Sequence, residues 1–124
     1  MNSTVGVPNV RNRFTIHAED PTYARKIMRS TLSGAKSGVV EDAALLTSEL
    51  VAHAMMDPGA NPQLFIDTMQ EHMHVEVRGF DITSRNVDQV RLRGWLLVMM
   101  NALAYSWGIE SRSDCQVVWF DLSF

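Results

Sequence analysis

Apolar residues recur along this chain with two different periods, and the switches between them divide it into seven elements. Residues 11–17 alternate polar and apolar positions through Phe14 and Ile16, which predicts a peripheral strand. Asp20-Pro21 then supplies a capping acceptor ahead of the one helical position that tolerates proline. Beyond it Ala24, Ile27, Met28 and Leu32 keep three- and four-residue spacing, so a first helix should bury them and stop near Gly34. Ala43, Leu46, Leu50 and Ala54 carry the same spacing through a second helix over 39–56, with Pro58-Gly59 as its stop. Two strands follow over 63–69 and 72–80, with Gln70-Glu71 in the turn. In the second of them Met73, Val75 and Val77 alternate with His74, Glu76 and Arg78, which predicts one buried and one wet face. Residues 81–92 are polar and aperiodic, a loop or lid. Residues 93–105 are apolar almost all round and predict a buried helix. Residues 116–122 are rich in strand formers and close the fold.

The order strand, helix, helix, strand, strand, helix, strand, with hairpin-type turns, predicts an α+β domain. Its helices would lie on one face of a mixed, mainly antiparallel sheet. Residues 1–10 have no period and read as a flexible lead-in to a single domain over 11–124. At 124 residues the chain can bury about two-thirds of its unfolded surface, so neither a disulfide nor a structural metal is required. A hydrophobic content of 46% excludes disorder. The net charge of −3 argues against general nucleic-acid binding, although six of the eleven basic residues lie in the first third. The single cysteine, Cys115, excludes an internal disulfide framework, and no partner for nucleophilic chemistry lies near it in sequence. The N-terminus lacks the charged-then-apolar plan of a signal peptide, and the apolar run over 95–100 is too short to span a bilayer. A cytoplasmic protein without membrane contact is the expectation.

Three segments carry a family pattern. Thr47-Ser48-Glu49-Leu50-Val51-Ala52-His53-Ala54 lies on the second helix, and His74-Val75-Glu76-Val77-Arg78-Gly79-Phe80-Asp81 ends a strand. Leu92-Arg93-Gly94-Trp95-Leu96-Leu97-Val98 opens the third helix, ahead of the terminal Val117-Val118-Trp119-Phe120-Asp121-Leu122. From about Arg13 to Leu122 the chain resembles the GHKL histidine-kinase-like ATPase superfamily. Within it, the chain is most similar to the small actinobacterial branch related to the anti-sigma-factor serine kinases. The resemblance implies a two-layer α/β sandwich, the histidine-kinase-like ATPase fold, with ATP held between helices, sheet and a mobile lid.

What the resemblance implies for the pocket can be followed residue by residue. Active members carry a Glu on the second helix that activates the attacking group, and four residues later an Asn whose oxygen holds Mg²⁺. Glu49 matches the first, and His53 stands at the second. Magnesium prefers oxygen ligands and dehydrates reluctantly, so an imidazole replaces the Asn poorly. The Asp that accepts the adenine amino group corresponds to Gly79, with Asp81 as a same-face substitute two residues on. Phe80 between them either fills the cavity or packs in the core. Arg93-Gly94 match the glycine-bearing start of the third helix, where backbone amides approach phosphates. There Leu92 replaces the first glycine and Trp95 the usual Leu. The Thr before the last strand corresponds to Val117, which has no hydroxyl. Glu49, His53, Gly79, Asp81, Arg93 and Gly94 are thus the residues of a former nucleotide pocket. Glu49 is catalytic only if activity survives, and no cofactor is expected unless the pocket still admits ATP and Mg²⁺.

The leading expectation is a degenerate regulatory protein that acts by protein–protein contact on a sigma factor or a STAS-type anti-anti-sigma protein. In the relatives the partner surface includes the first strand and first helix, where Arg25, Lys26 and Arg29 form a positive stripe. One alternative is an active ATP-dependent serine kinase that uses Glu49 with unusual metal ligation. Another is a small-molecule or peptide sensor that uses the former ATP cleft. A homodimer is compatible with each of the three. His72 and His74 share a strand face but lack a third metal ligand at sensible spacing, so a solvent-facing pair is expected. Met55-Met56 and Met99-Met100 read as core, cleft lining or an adaptable partner groove.

Overall fold

The computed structural model describes residues 12–56, 61–80, 94–112 and 115–123. The elements in chain order are β1 (Asn12–His17), α1 (Pro21–Thr31), α2 (Ser37–Ala54), β2 (Gln63–Met69), β3 (His72–Phe80), α3 (Gly94–Leu103), β4 (Ser106–Ser111) and β5 (Gln116–Ser123). The anticipated lead-in over 1–10, the stop at Pro58-Gly59 and the polar loop over 81–92 lie outside the described residues.

Local chemistry accounts for the first helix. Asp20 has extended backbone angles, and its Oδ1 accepts from the Tyr23 amide at 2.7 Å, directly ahead of Pro21. Ala24, Met28 and Leu32 are buried and Ile27 partly so, and Gly34 follows the last turn at φ +97°. Helix α2 begins two residues earlier than its spacing predicts. It buries Ala43, Leu46, Leu50, Val51 and Ala54.

The five strands form one sheet in the order β1-β2-β3-β5-β4, and every neighbouring pair is antiparallel. The expectation of a mixed sheet is therefore corrected, and the reason is β4, a strand the residue pattern did not reveal. It leaves α3 and forms a hairpin with β5, which returns antiparallel to β3 and comes to lie between the two. Its sequence, Ser106-Trp107-Gly108-Ile109-Glu110-Ser111, is short and interrupted by glycine, a weak strand signal. The glycine has a packing reason: a Cβ there would lie 2.8 Å from the indole of Trp119, its partner on β5.

Leu64 and Ile66 of β2, Met73, Val75 and Val77 of β3, and Val118, Phe120 and Leu122 of β5 join the buried faces of α1 and α2 in one core cluster. Two burial expectations fail. The alternate face of β3 is not uniformly wet, because Glu76 is only 7% exposed. Helix α3 is not buried all round. Leu96 and Met100 are buried and Met99 and Leu103 pack partly, a single stripe, whereas Trp95 and Val98 are 53% and 67% exposed. No described helix is long and apolar enough to cross a membrane.

One core position invites a direct test. Thr47 is fully buried on α2, and its Oγ1 has no hydrogen-bond partner among the described residues. An unsatisfied buried hydroxyl costs about 1–3 kcal/mol. Thr47→Val, of nearly the same shape, is expected to raise the unfolding free energy by about 1 kcal/mol in urea titrations. Thr47→Ala should not, since it leaves a void. A lower midpoint for Thr47→Val would mean that the hydroxyl is engaged.

Candidate functional site

Helix α2 packs one face into the core, and the four-residue spacing of Glu49 and His53 sets both side chains on the flank that meets α3. There they line a cavity of about 260 Å³ together with Ala52, Met56, Trp95 and Leu96. The sequence had linked Glu49 and His53, and their meeting with Met56 and Trp95 comes from the docking of α3. Among the described residues the walls are mainly apolar, with one carboxylate and one imidazole as the polar groups. Among the described residues no group of three His, Cys, Asp or Glu side chains is arranged to hold a metal ion.

The other anticipated pocket residues do not assemble in the same way. Gly94 is the exposed first residue of α3, next to Trp95. Asp81, Leu92 and Arg93 lie outside the described residues, as does the side chain of Phe80. Gly79 sits at an irregularity in the β3–β5 pairing, between Arg78 and Phe80, with φ +105°. A Cβ there would meet the carbonyl oxygen of Asn61 at 3.0 Å and the Cα of Pro62 at 3.1 Å. Glycine is thus required by backbone conformation and by close approach. Val117 is the second residue of β5. It pairs with Arg78 and Glu110, and alternation along β5 places it on the same face as Trp119 and Asp121, away from the helices. Its neighbour Gln116, 1% exposed and bonded to the Ser111 hydroxyl, has the opposite parity.

The basic stripe lines a second cavity, of about 390 Å³, with Glu19, Asp20, Thr22, Tyr23, Arg25, Lys26 and Arg29 around it. The three cations are not equivalent. Arg29 holds Glu41 of α2 through two hydrogen bonds of 3.1 and 3.3 Å, so it ties the two helices together. Arg25 bonds to the Thr22 hydroxyl at 3.1 Å.

A further cluster, on the sheet face away from the helices, was not anticipated. His74 bridges Asp121 and Glu76, with contacts of 2.6 and 2.9 Å, so it is not the solvent-facing residue its spacing suggested. Glu76 also accepts from Arg78 at 2.8 Å and from Arg112 at 3.0 and 3.2 Å. Burial alone would push its carboxyl up, but the bonds from Arg112, His74 and Arg78 pull it down to about 2. Arg78 lies over the Phe65 ring at 4.5 Å, and Cys115 is a half-buried free thiol. The signal for the cluster was the shared parity of His74, Glu76 and Arg78. Asp121 joins them only through strand pairing, and Arg112 only through the β4–β5 hairpin.

The geometry at Gly79 yields a direct expectation. Gly79→Asp should destabilise the protein by about 1–3 kcal/mol through the left-handed backbone, and more if the Asn61 contact cannot relax. Chemical denaturation reads this directly, and a variant of unchanged stability would show that the irregularity adapts to a side chain. No family model matches this chain, and no curated protein matches it either.

Proposed function

We propose that this chain is a degenerate member of the GHKL histidine-kinase-like ATPase superfamily that acts by protein–protein contact. Its setting is a bacterial regulatory circuit of the anti-sigma-factor type, with a sigma factor or STAS-type protein as partner. The observation that carries the reading is the size and lining of the cleft between α2 and α3. At about 260 Å³ it falls below the roughly 300–1,000 Å³ of ordinary small-molecule sites. Trp95 and Met56 occupy its walls, and an imidazole stands where the family offers magnesium an oxygen. The two successive helices between the first and second strands also support the reading. At the rim Met55, Met56, Trp95 and Val98 are all more than 40% exposed, a density of apolar surface that suits a protein partner. Arg25 and Lys26 on α1 add a complementary feature, because an acidic partner would be steered to them and released by salt.

Millimolar ATP with Mg²⁺ is expected to leave the melting temperature unchanged. A ligand at about 100 times its dissociation constant would add about 2.7 kcal/mol, which a thermal scan detects easily. A shift in the wild type that disappears in Glu49→Ala would overturn the degenerate reading in favour of an ATP-dependent serine kinase. For the partner surface, Arg25→Glu with Lys26→Glu is the informative pair, since Arg29 is engaged with Glu41. The double variant should keep its melting temperature and lose co-purification with the native partner. Retained binding by the folded variant would place the interface at the apolar rim of α3.

A further inference from the structure

On the sheet face turned away from the helices, one row of residues runs across all five strands. Arg13 of β1 stands opposite Asp67 of β2, which stands opposite His74 of β3, then Asp121 of β5 and Ser106 of β4. His74 is at the centre of the row, and both its ring nitrogens face carboxylates. Nδ1 lies 2.6 Å from Asp121 Oδ1, and Nε2 lies 2.9 Å from Glu76 Oε2.

An ionised carboxylate only accepts hydrogen bonds, and a neutral imidazole has a single N–H. A neutral ring here would aim a lone pair at an oxygen less than 3 Å away. The doubly protonated ring satisfies both contacts. The other escape, a proton on the Glu76 carboxyl, is opposed by its donors. Glu76 is held by three hydrogen bonds from the guanidinium groups of Arg78 and Arg112. At Asp121, Oδ2 accepts from the Ser106 hydroxyl at 3.0 Å, and the imidazole of His72 approaches Oδ1 at 3.6 Å.

We infer that His74 is an imidazolium in the folded protein at neutral pH, and that loss of its proton releases a latch joining β3, β5 and β4. The charges form an alternating chain: Asp121, His74, Glu76, Arg112 and Glu110, with Arg78 on the second side of Glu76. Among the described residues of this chain of charges, three cations balance three anions only while His74 keeps its proton. Asp67, opposite on β2, and Arg13 beyond it on β1 add one charge of each sign to the same row. Water is partly excluded, with side-chain exposures of 9% for Glu76, 18% for Asp121 and 27% for His74. The Trp119 and Phe65 rings flank the imidazole at centroid distances of 5.6 and 6.5 Å. Burial works against the charged imidazole. The hydrogen bonds and charges of Glu76 and Asp121 outweigh it and hold the pKa above its usual 6.5. A group raised on folding contributes its full stabilisation below the unfolded value and loses it as pH rises through the folded one. The latch therefore holds in acid and neutral solution and opens on the alkaline side. The opposite limit belongs to Glu76, lowered to about 2, whose contribution is lost as pH falls from the ordinary carboxylate range toward that value.

Nitrogen-15 NMR of the full chain at pH 7.5 reads the ring directly. Both ring nitrogens of His74 should be protonated, with a titration midpoint above the exposed-histidine value of about 6.5. In parallel, wild-type melting temperature should fall as pH rises through that midpoint. His74→Gln should lose this dependence, and His17→Gln on the exposed edge strand should keep it. If His74→Gln does not fold, the NMR titration of the wild type decides alone. A single neutral tautomer at pH 7.5, or a midpoint at or below 6.5, overturns the inference.

Discussion

Strand β3 must satisfy two unlike environments with consecutive residues, and most of the architecture follows from this. Met73, Val75 and Val77 enter the core with α2, while His74 and Glu76 enter a charged cluster on the reverse side. Side chains alternate strictly along a strand, so a slip of one residue would push Glu76 into the apolar layer and Val75 among the charges. Either displacement costs several kcal/mol, because an ion without partners in an apolar surrounding is heavily penalised. Register is thus pinned from both faces. The same logic applies to β5, where Phe120 and Asp121 are neighbours with opposite tasks.

Once β3 and β5 are in register, the placement of the helices follows. Helix α2 covers both strands with small and branched residues, which allows close approach, and α1 is fastened to it by packing and by the Arg29–Glu41 pair. That docking determines which flank of α2 remains for α3, and so which residues can form a cleft. Glu49 and His53 point there because they are one turn apart. The cleft is small because the first turn of α3 presents Trp95 and Leu96. Helix α3 buries a single stripe and leaves its other apolar residues at the surface.

The charged cluster occupies the face that the helices leave open. Glu76 is the anchor, since a carboxylate so little exposed persists only when several donors surround it. Its donors come from β3 itself and from Arg112, just beyond β4. Asp121 on β5 takes the other side of His74 and is bonded in turn to Ser106 at the start of β4. The edge hairpin is therefore held to the sheet centre by polar contacts as well as by backbone pairing.

Much of this was legible in the residue pattern. The bounds of β2 and β3, the cap at Asp20, the core face of α1 and α2 and the closing strand all came from periodicity and capping chemistry, which are local. The pairing of Glu49 with His53 was legible for the same reason. What the pattern left open depended on contacts between distant segments. Strand β4 is short and carries a glycine whose purpose appears only when Trp119 lies across it. The antiparallel order depends on where β5 inserts, and the face of Val117 depends on its pairing with Arg78. The apolar α3 read as buried because composition reports hydrophobicity and does not report what lies against it. Glu76 read as wet because its neighbours on β3 are polar, while the guanidinium that covers it arrives from 36 residues further along the chain. Periodicity states which residues share a face. Only the assembled strands and helices decide what that face meets.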